Sequence, residues 1–394
     1  MDGEVKYTAE KVSIDPNTRV GVPFKFTPDS ARLQTVSVEA TIEQGGKEYT
    51  FTGSIQIDVQ DSSKLVYIGI DASHYNEYVN GNYKDSMGNF SSLAMQNGVR
   101  TVQLNTSEEL IAACENESGK YKAIILTAPS RRLAAAQTDP KVYSEEEIAA
   151  IKAFNAAGGM VIVTGWSDNY ENYDVIQSNS DIMHMAATQN AVLDALGSSL
   201  RIGDDATYDD VRCKDDNVDP WRLYFSDYNW DSFLVEGVIV NEEKPYDKYE
   251  TERFSHYGGA SVYAIADTLP DTVTPVVFAH ATTYSKDVDG DGLGGTSIPK
   301  YAYTDGTDRL LVMATEKLDG QGLIVVSGAA FLSNFEVQAT VDSGAEKNYS
   351  NYKICENLVK YINPDGLAIS TIKQVQDEKN EGVRFTIEGV VTSN

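Results

Sequence analysis

Cysteine is scarce in this 394-residue chain: Cys114, Cys213 and Cys355 lie far apart, with no CxxC spacing. An odd count cannot close into a full disulfide framework, which excludes a disulfide-stapled fold. Cys114 and Cys355 fall inside helical patterns, where a reduced cysteine packs as a small hydrophobe. Basic residues are also few, with Lys+Arg 32 against Asp+Glu 59 and a formal net charge of -27. A surface that negative repels phosphate backbones and anionic headgroups, so direct nucleic-acid binding by this segment is not expected. No apolar run approaches the roughly 18 residues needed to span a bilayer, so no membrane insertion is expected either. No charged start followed by an apolar stretch marks a secretory leader. Instead Met1-Asp2-Gly3-Glu4-Val5 runs almost directly into a strand-like pattern, as an internal slice of a longer chain would.

What the chain does have is 41% hydrophobic and 10% aromatic residues, enough for an ordered protein of two or three domains. Residues 5 to 60 alternate apolar and polar positions, as in Val36, Val38, Ala40 and Ile42, then Tyr49 and Phe51, with Gly45-Gly46 between the runs as a tight hairpin. This opening, 1–62, reads as a small β-sandwich or its last strands. From 63 the texture changes to short apolar runs separated by helical segments, the pattern of a parallel sheet covered on both faces. Leu65 to Ile70, Ala123 to Leu126 and Met160 to Val163 are the strands, and Thr106 with Glu109 and Ser144 with Glu147 are capping boxes that open helices. Residues 184 to 198 give a further helix. Residues 200 to 300 read as an irregular insertion with strand-like pieces at Phe233 to Val240 and Val273 to Phe278, after which strands near 310 and 323 and a helix near 352 to 362 restore the rhythm. Asn363-Pro364-Asp365-Gly366 marks a boundary, and 364–394 read as the start of another β domain.

The order strand, helix, strand, helix, Gly158-Gly159, strand, then Leu323 to Gly328 and a closing helix resembles the class I glutamine amidotransferase-like module over 63–363. The fold this implies is α/β, doubly wound with a mostly parallel, flavodoxin-like sheet. Asp71-Ala72-Ser73-His74-Tyr75-Asn76-Glu77-Tyr78-Val79 with Gly88-Asn89-Phe90 is similar to a segment of very large surface proteins of Gram-positive bacteria that carry nuclease or phosphoesterase domains elsewhere. The tail Arg384 to Asn394 looks like the opening strand of their OB-fold module, and the N-terminal strands like an immunoglobulin-like piece. The resemblance implies an extracellular or cell-wall location and, as partners, other domains of the same parent chain.

In open α/β sheets ligands sit beyond the carboxyl ends of the strands. The residues there are Asp71, His74, Tyr75 and Asn76 after the first strand, Trp166, Ser167, Asp168 and Asn169 after Gly165, and Ser333 and Asn334 near the end. An amidotransferase needs a cysteine on the sharp strand-to-helix turn, where amides and a histidine make it a thiolate. The corresponding turn reads Thr164-Gly165-Trp166-Ser167, without one. Ser167 as a nucleophile would need a base and an orienting carboxylate, and His74, His184, His256 and His280 have no spacing that singles one out. His74 is read as a ligand or metal contact or, alternatively, as a structural hydrogen-bonding residue.

Asp287-Val288-Asp289-Gly290-Asp291-Gly292 places carboxylates at alternate positions, where they can converge on a hard cation. Ile298 stands where an EF-hand would place its Glu, so the alternatives are a calcium loop of another type, with Asp287, Asp289 and Asp291 as ligands, or an acidic surface turn. The acidic run from Asp204-Asp205 to Asp219 is a weaker cation candidate, and Trp221 to Trp230 either a sugar-stacking platform or core. The leading expectation is a non-catalytic accessory or scaffold module of a cell-surface hydrolase. The alternatives are a module binding a small polar or sugar ligand, and a hydrolase using Ser167 or a bound metal.

Overall fold

The computed structural model describes residues 33–59, 65–171, 184–213, 219–337 and 349–364, with isolated positions at 7, 8, 13, 14, 21, 63 and 366. The chain divides into two units, one of Met1–Leu65 with Leu367–Asn394 and one of Val66–Gly366. In the first, β1 (Leu33–Gln44) and β2 (Lys47–Asp58) form an antiparallel hairpin. Gly45 and Gly46 make its two-residue loop, both with positive φ, the conformation that matches the twist of paired strands. The expected OB-like segment, 367–394, lies outside the described residues, as does most of 1–32.

The second unit begins with β3 (Val66–Asp71), α1 (Gly88–Gln96), β4 (Val99–Leu104), α2 (Ser107–Glu115) and β5 (Tyr121–Leu126). It continues with α3 (Ala134–Thr138), α4 (Glu145–Ala156), β6 (Met160–Thr164), α5 (Met185–Ala195) and β7 (Leu200–Ile202). Short strands follow: β8 (Ala206–Tyr208), β9 (Arg222–Phe225), β10 (Asp227–Tyr228), β11 (Phe254–Tyr257), β12 (Val262–Ala264), β13 (Val273–Phe278), β14 (Tyr284–Lys286), β15 (Tyr301–Ala302) and β16 (Asp308–Arg309). The long strands β17 (Leu311–Lys317) and β18 (Leu323–Ser327) and helix α6 (Asn351–Ile362) complete it.

One ten-stranded sheet organises the unit, in the order β10-β13-β17-β18-β6-β5-β3-β4, with β12 and β7 attached beside β17. Pairing is parallel from β18 through β4 and antiparallel from β18 outward to β10. The strand period of two explains why two cores form. Ala123, Ile125 and Ile162 point to one face, against Phe90 and Leu93 of α1 and Ile354 and Leu358 of α6. Ile124, Leu126 and Val163 point to the other, against Leu110 of α2, Ile151 of α4 and Leu193 of α5. Cys114 and Cys355 belong to these opposite cores, and burial pushes the Cys114 thiol up to about 12.

Both capping signals work, in different ways. Ser144 and Glu147 form a reciprocal capping box at the start of α4. Thr106 accepts from the Glu109 amide, but the Glu109 carboxylate turns to the Asn105 amide at 2.6 Å instead.

Two sequence expectations need correction. Residues 200–300 are not an excursion: β7, β10, β12 and β13 join the central sheet, and Leu223, Phe225, Tyr228 and Phe254 lie in its core. The aromatic stretch from Trp221 is therefore mainly core, although Trp230 is exposed. Phe233 to Val240 is not a strand. A single helical turn, Phe233–Val235, is capped by Ser232 and buries Leu234 and Val235, because a short apolar run fits either geometry and the cap decides.

Backbone contact fixes how the inserted loops meet the sheet. A Cβ on Gly328 would lie 1.8 Å from the Ala260 carbonyl oxygen, so only glycine permits this approach. The Ala260 amide donates to the Gly328 carbonyl at 2.9 Å, which sets the segment before β12 against the end of β18.

Candidate functional site

The carboxyl ends of β3, β6 and β18 carry the loops that sequence reasoning grouped into one patch. The structure resolves that patch into separate stations.

At the end of β3, Asp71 and His74 are buried and face the start of α4. His74 Nδ1 lies 3.0 Å from Asp71 Oδ2, and Nε2 lies 3.3 Å from Glu147 Oε2. Tyr143 donates to Asp71 Oδ2 at 3.1 Å, and Ser73 donates to Oδ1. Burial opposes the imidazolium, but hydrogen bonds to the two carboxylates outweigh it, and the His74 pKa is pushed up to about 9. Burial likewise opposes the Glu147 charge, yet His74 and the Ser144 amide hold its carboxyl down at about 2. Protonated at neutral pH and facing a carboxylate from each nitrogen, His74 pins the end of β3 to the start of α4.

Beyond His74 the β3 loop crosses to the β5 loop. Tyr75, with φ of 56°, accepts from the Ser130 amide at 2.7 Å, and Asn76 bridges Pro129. These contacts close the sheet edge between β3 and β5, where an open α/β sheet would offer its crevice. Glu77 is fully buried behind this closure, and burial pushes its pKa up to about 7. Asn76 Nδ2, Thr127 Oγ1 and Thr164 Oγ1 are buried there with no hydrogen-bond partner.

Trp166 fills the turn after β6. Its indole is buried and stacks on Tyr170, with ring centroids 3.6 Å apart and planes 8° apart. Tyr78 and Tyr83 pack at about 6 Å from the same ring, and the Arg132 guanidinium lies over Tyr83, Trp166 and Tyr170. Ser167 accepts from the Asn169 amide at 3.1 Å and donates to Asp168 Oδ1 at 3.2 Å, so its hydroxyl caps a turn and meets a carboxylate. Asn334 stands elsewhere: its Oδ1 accepts from the Asn89 amide at 2.8 Å, tying the β18 loop to α1.

Asp168 leads to the acidic loop. Its Oδ2 accepts from the Val288 amide at 2.8 Å, which brings 287–291 onto the end of β6. Asp287 accepts from the Gly290 and Gly292 amides, Asp289 from Asp291, and Asp291 from Leu293, so each carboxylate folds the loop while facing its neighbours. Carboxylate oxygens of Asp168, Asp287 and Asp289 lie within 4.8 Å of one another. Two further sets do the same, Glu171 with His184 and Asp204, and His184 with Asp289 and Asp291. These clusters could hold a metal. Burial, with the neighbouring carboxylates, pushes Asp168 up to about 7 and Asp204 up to about 8, and it raises Asp289. The adjacent Glu171 carboxylate, with burial opposing and Asp204 adding to it, pushes His184 up to about 9.

Among the described residues, the rest of the acidic run does not join them. Asp205 accepts from the Ser261 amide and hydroxyl and from Ser285, and Asp209 accepts from Thr282 and Thr283. Sequence reasoning therefore identified the loop but missed Glu171, His184 and Asp204 as its neighbours. The doublet at Asp204 was the one available signal.

No family model and no curated protein matches this chain. Among solved structures it is similar to the mmIFT52 N-terminal domain, at 14% identity and a TM-score of 0.45, covering 77% of this chain and 100% of that one. It is also similar to the Cytoplasmic Protein STM1381 from Salmonella typhimurium LT2, at 8% identity and a TM-score of 0.38, covering 84% and 97%. A third is the Cytoplasmic Protein STM3548 from Salmonella typhimurium, at 10% identity and a TM-score of 0.32, covering 83% and 95%. Likenesses at this level carry no argument about activity. No helix among the described residues is long and apolar enough to cross a membrane.

Proposed function

We propose that this chain is a non-catalytic accessory module of an extracellular multidomain surface protein, built on a flavodoxin-like, glutamine amidotransferase-like sheet whose carboxyl edge is closed by packing and by calcium. The observation that carries this reading is Trp166, a buried stacked indole at the turn where that chemistry would place a reactive sulfur. Counted along the chain, the five parallel strands run 2-1-3-4-5 across the sheet, an order that supports the flavodoxin-like reading. The bridge between the β3 and β5 loops supports a scaffold over an open crevice. Ser167 meets Asp168 and Asn169, which supports a capping role over a nucleophile. The unpartnered polar atoms of Asn76, Thr127 and Thr164 favour a second reading, a small polar ligand bound at the same edge.

Calcium is assigned to the all-oxygen set of Asp168, Asp287 and Asp289 because hard cations take clustered carboxylates, and the glycines let the loop wrap an ion. Its role there is to join 287–291 to the end of β6. Calcium at about 100 times its Kd is expected to stabilise the fold by about 2.7 kcal/mol, read as a rise of several degrees in Tm that EGTA reverses. Asp287→Asn should abolish the rise. Identical melting in calcium and EGTA would remove the calcium assignment.

A further inference from the structure

We infer that Glu171, His184 and Asp204 form a second cation site, adjoining the calcium set of Asp168, Asp287 and Asp289 but sharing none of its ligands, that takes a divalent first-row transition ion. The sequence has four histidines: His74 is held by Asp71 and Glu147, His280 by Asp227 and the Tyr224 carbonyl, and His256 faces the Ala260 carbonyl through Nε2 while its Nδ1 is buried without a hydrogen-bond partner and belongs to no carboxylate cluster among the described residues. His184 differs. Its Nδ1 lies 3.1 Å from Glu171 Oε2 and 3.1 Å from Asp204 Oδ2, ion-pair contacts that lack hydrogen-bond geometry, and a metal would enter by displacing the imidazole proton. The ligand atoms of the three residues lie within 4.8 Å of one another. Donors about 3 Å apart are what ligands roughly 2.0–2.4 Å from a single ion, at near right angles, would show.

The surroundings hold these donors in place. Glu171 Oε1 accepts from the Met185 amide, which leaves Oε2 turned inward, and Glu171 is only 4% exposed. Asp204 Oδ1 is also buried without a hydrogen-bond partner. On the far side of the imidazole, Nε2 faces Asp291 Oδ2 at 3.8 Å, and a carboxylate behind a ligating histidine is the usual means of fixing its tautomer and raising its basicity. An imidazole with two carboxylates favours an ion of intermediate softness over calcium, which prefers oxygen alone.

The test is a titration of the calcium-saturated chain with Co2+, followed by visible ligand-field absorption, with Zn2+ as competitor. The expected result is one equivalent of Co2+ bound beyond calcium and displaced by Zn2+. His184→Gln and Glu171→Gln should each weaken it at least tenfold while melting cooperatively, and Asp287→Asn should leave it intact. The inference is overturned if calcium-saturated protein binds no Co2+, or if binding persists unweakened in both His184→Gln and Glu171→Gln. Failure here would leave the calcium assignment standing, because that rests on Asp287 and is read by calcium-dependent melting.

Discussion

His74→Ala is expected to destabilise the Val66–Gly366 unit by about 3–5 kcal/mol, the range for removing one partner from a buried ion pair. The substitution would leave Asp71 and Glu147 facing each other across a cavity without the cation that now lies between them. The loss has a pH signature. His74 has its pKa raised from 6.5 to about 9, so its contribution is fully present below about 6.5 and is lost as pH rises through about 9. Glu147 is lowered from 4.5 to about 2, so its contribution is present above about 4.5 and is lost as pH falls through about 2. Denaturant melts across pH 5 to 10 should therefore show wild-type stability falling on the alkaline side more steeply than that of the variant. Parallel profiles would mean that His74 is not held as a cation.

The second large effect concerns Trp166. Trp166→Ala removes a fully packed indole from against Tyr78, Tyr83 and Tyr170, and a loss of about 3–5 kcal/mol is expected. Trp166→Phe should retain most of that stability, since an aromatic face can still stack on Tyr170. Chemical denaturation of the two variants checks this. Two equally small losses would show the ring to be dispensable, and with it the idea that packing occupies this turn.

Much of the parallel half of the sheet was legible because its strands are covered on both faces. Met160 to Val163 is an unbroken apolar run for that reason, and Ser144 with Glu147 announced α4 by local chemistry alone. The stretch from 200 to 300 was legible at Val273 to Phe278, which is β13, but its other strands are two to four residues long and gain their place from distant partners. Val262, for example, pairs with both Leu311 and Ile202. The same contrast runs through the candidate site. Asp287, Asp289 and Asp291 stand at alternate positions and could be read as a motif. Glu171, His184 and Asp204 come from three separated segments, and only folding brings their ligand atoms within 4.8 Å. His74 was visible as a residue at a strand end. Its partner Glu147 was visible only as a cap, because one carboxylate serves both the helix amide and the imidazole.

The central claim is that the loop after β6 and the acidic loop form one closure held by a hard cation. Amide hydrogen exchange of the intact chain, in calcium and in EGTA, addresses it directly. Slower exchange in calcium across both 165–171 and 287–293 is the expected result, through the link from the Val288 amide to Asp168. Exchange that calcium leaves unchanged in both loops would contradict it.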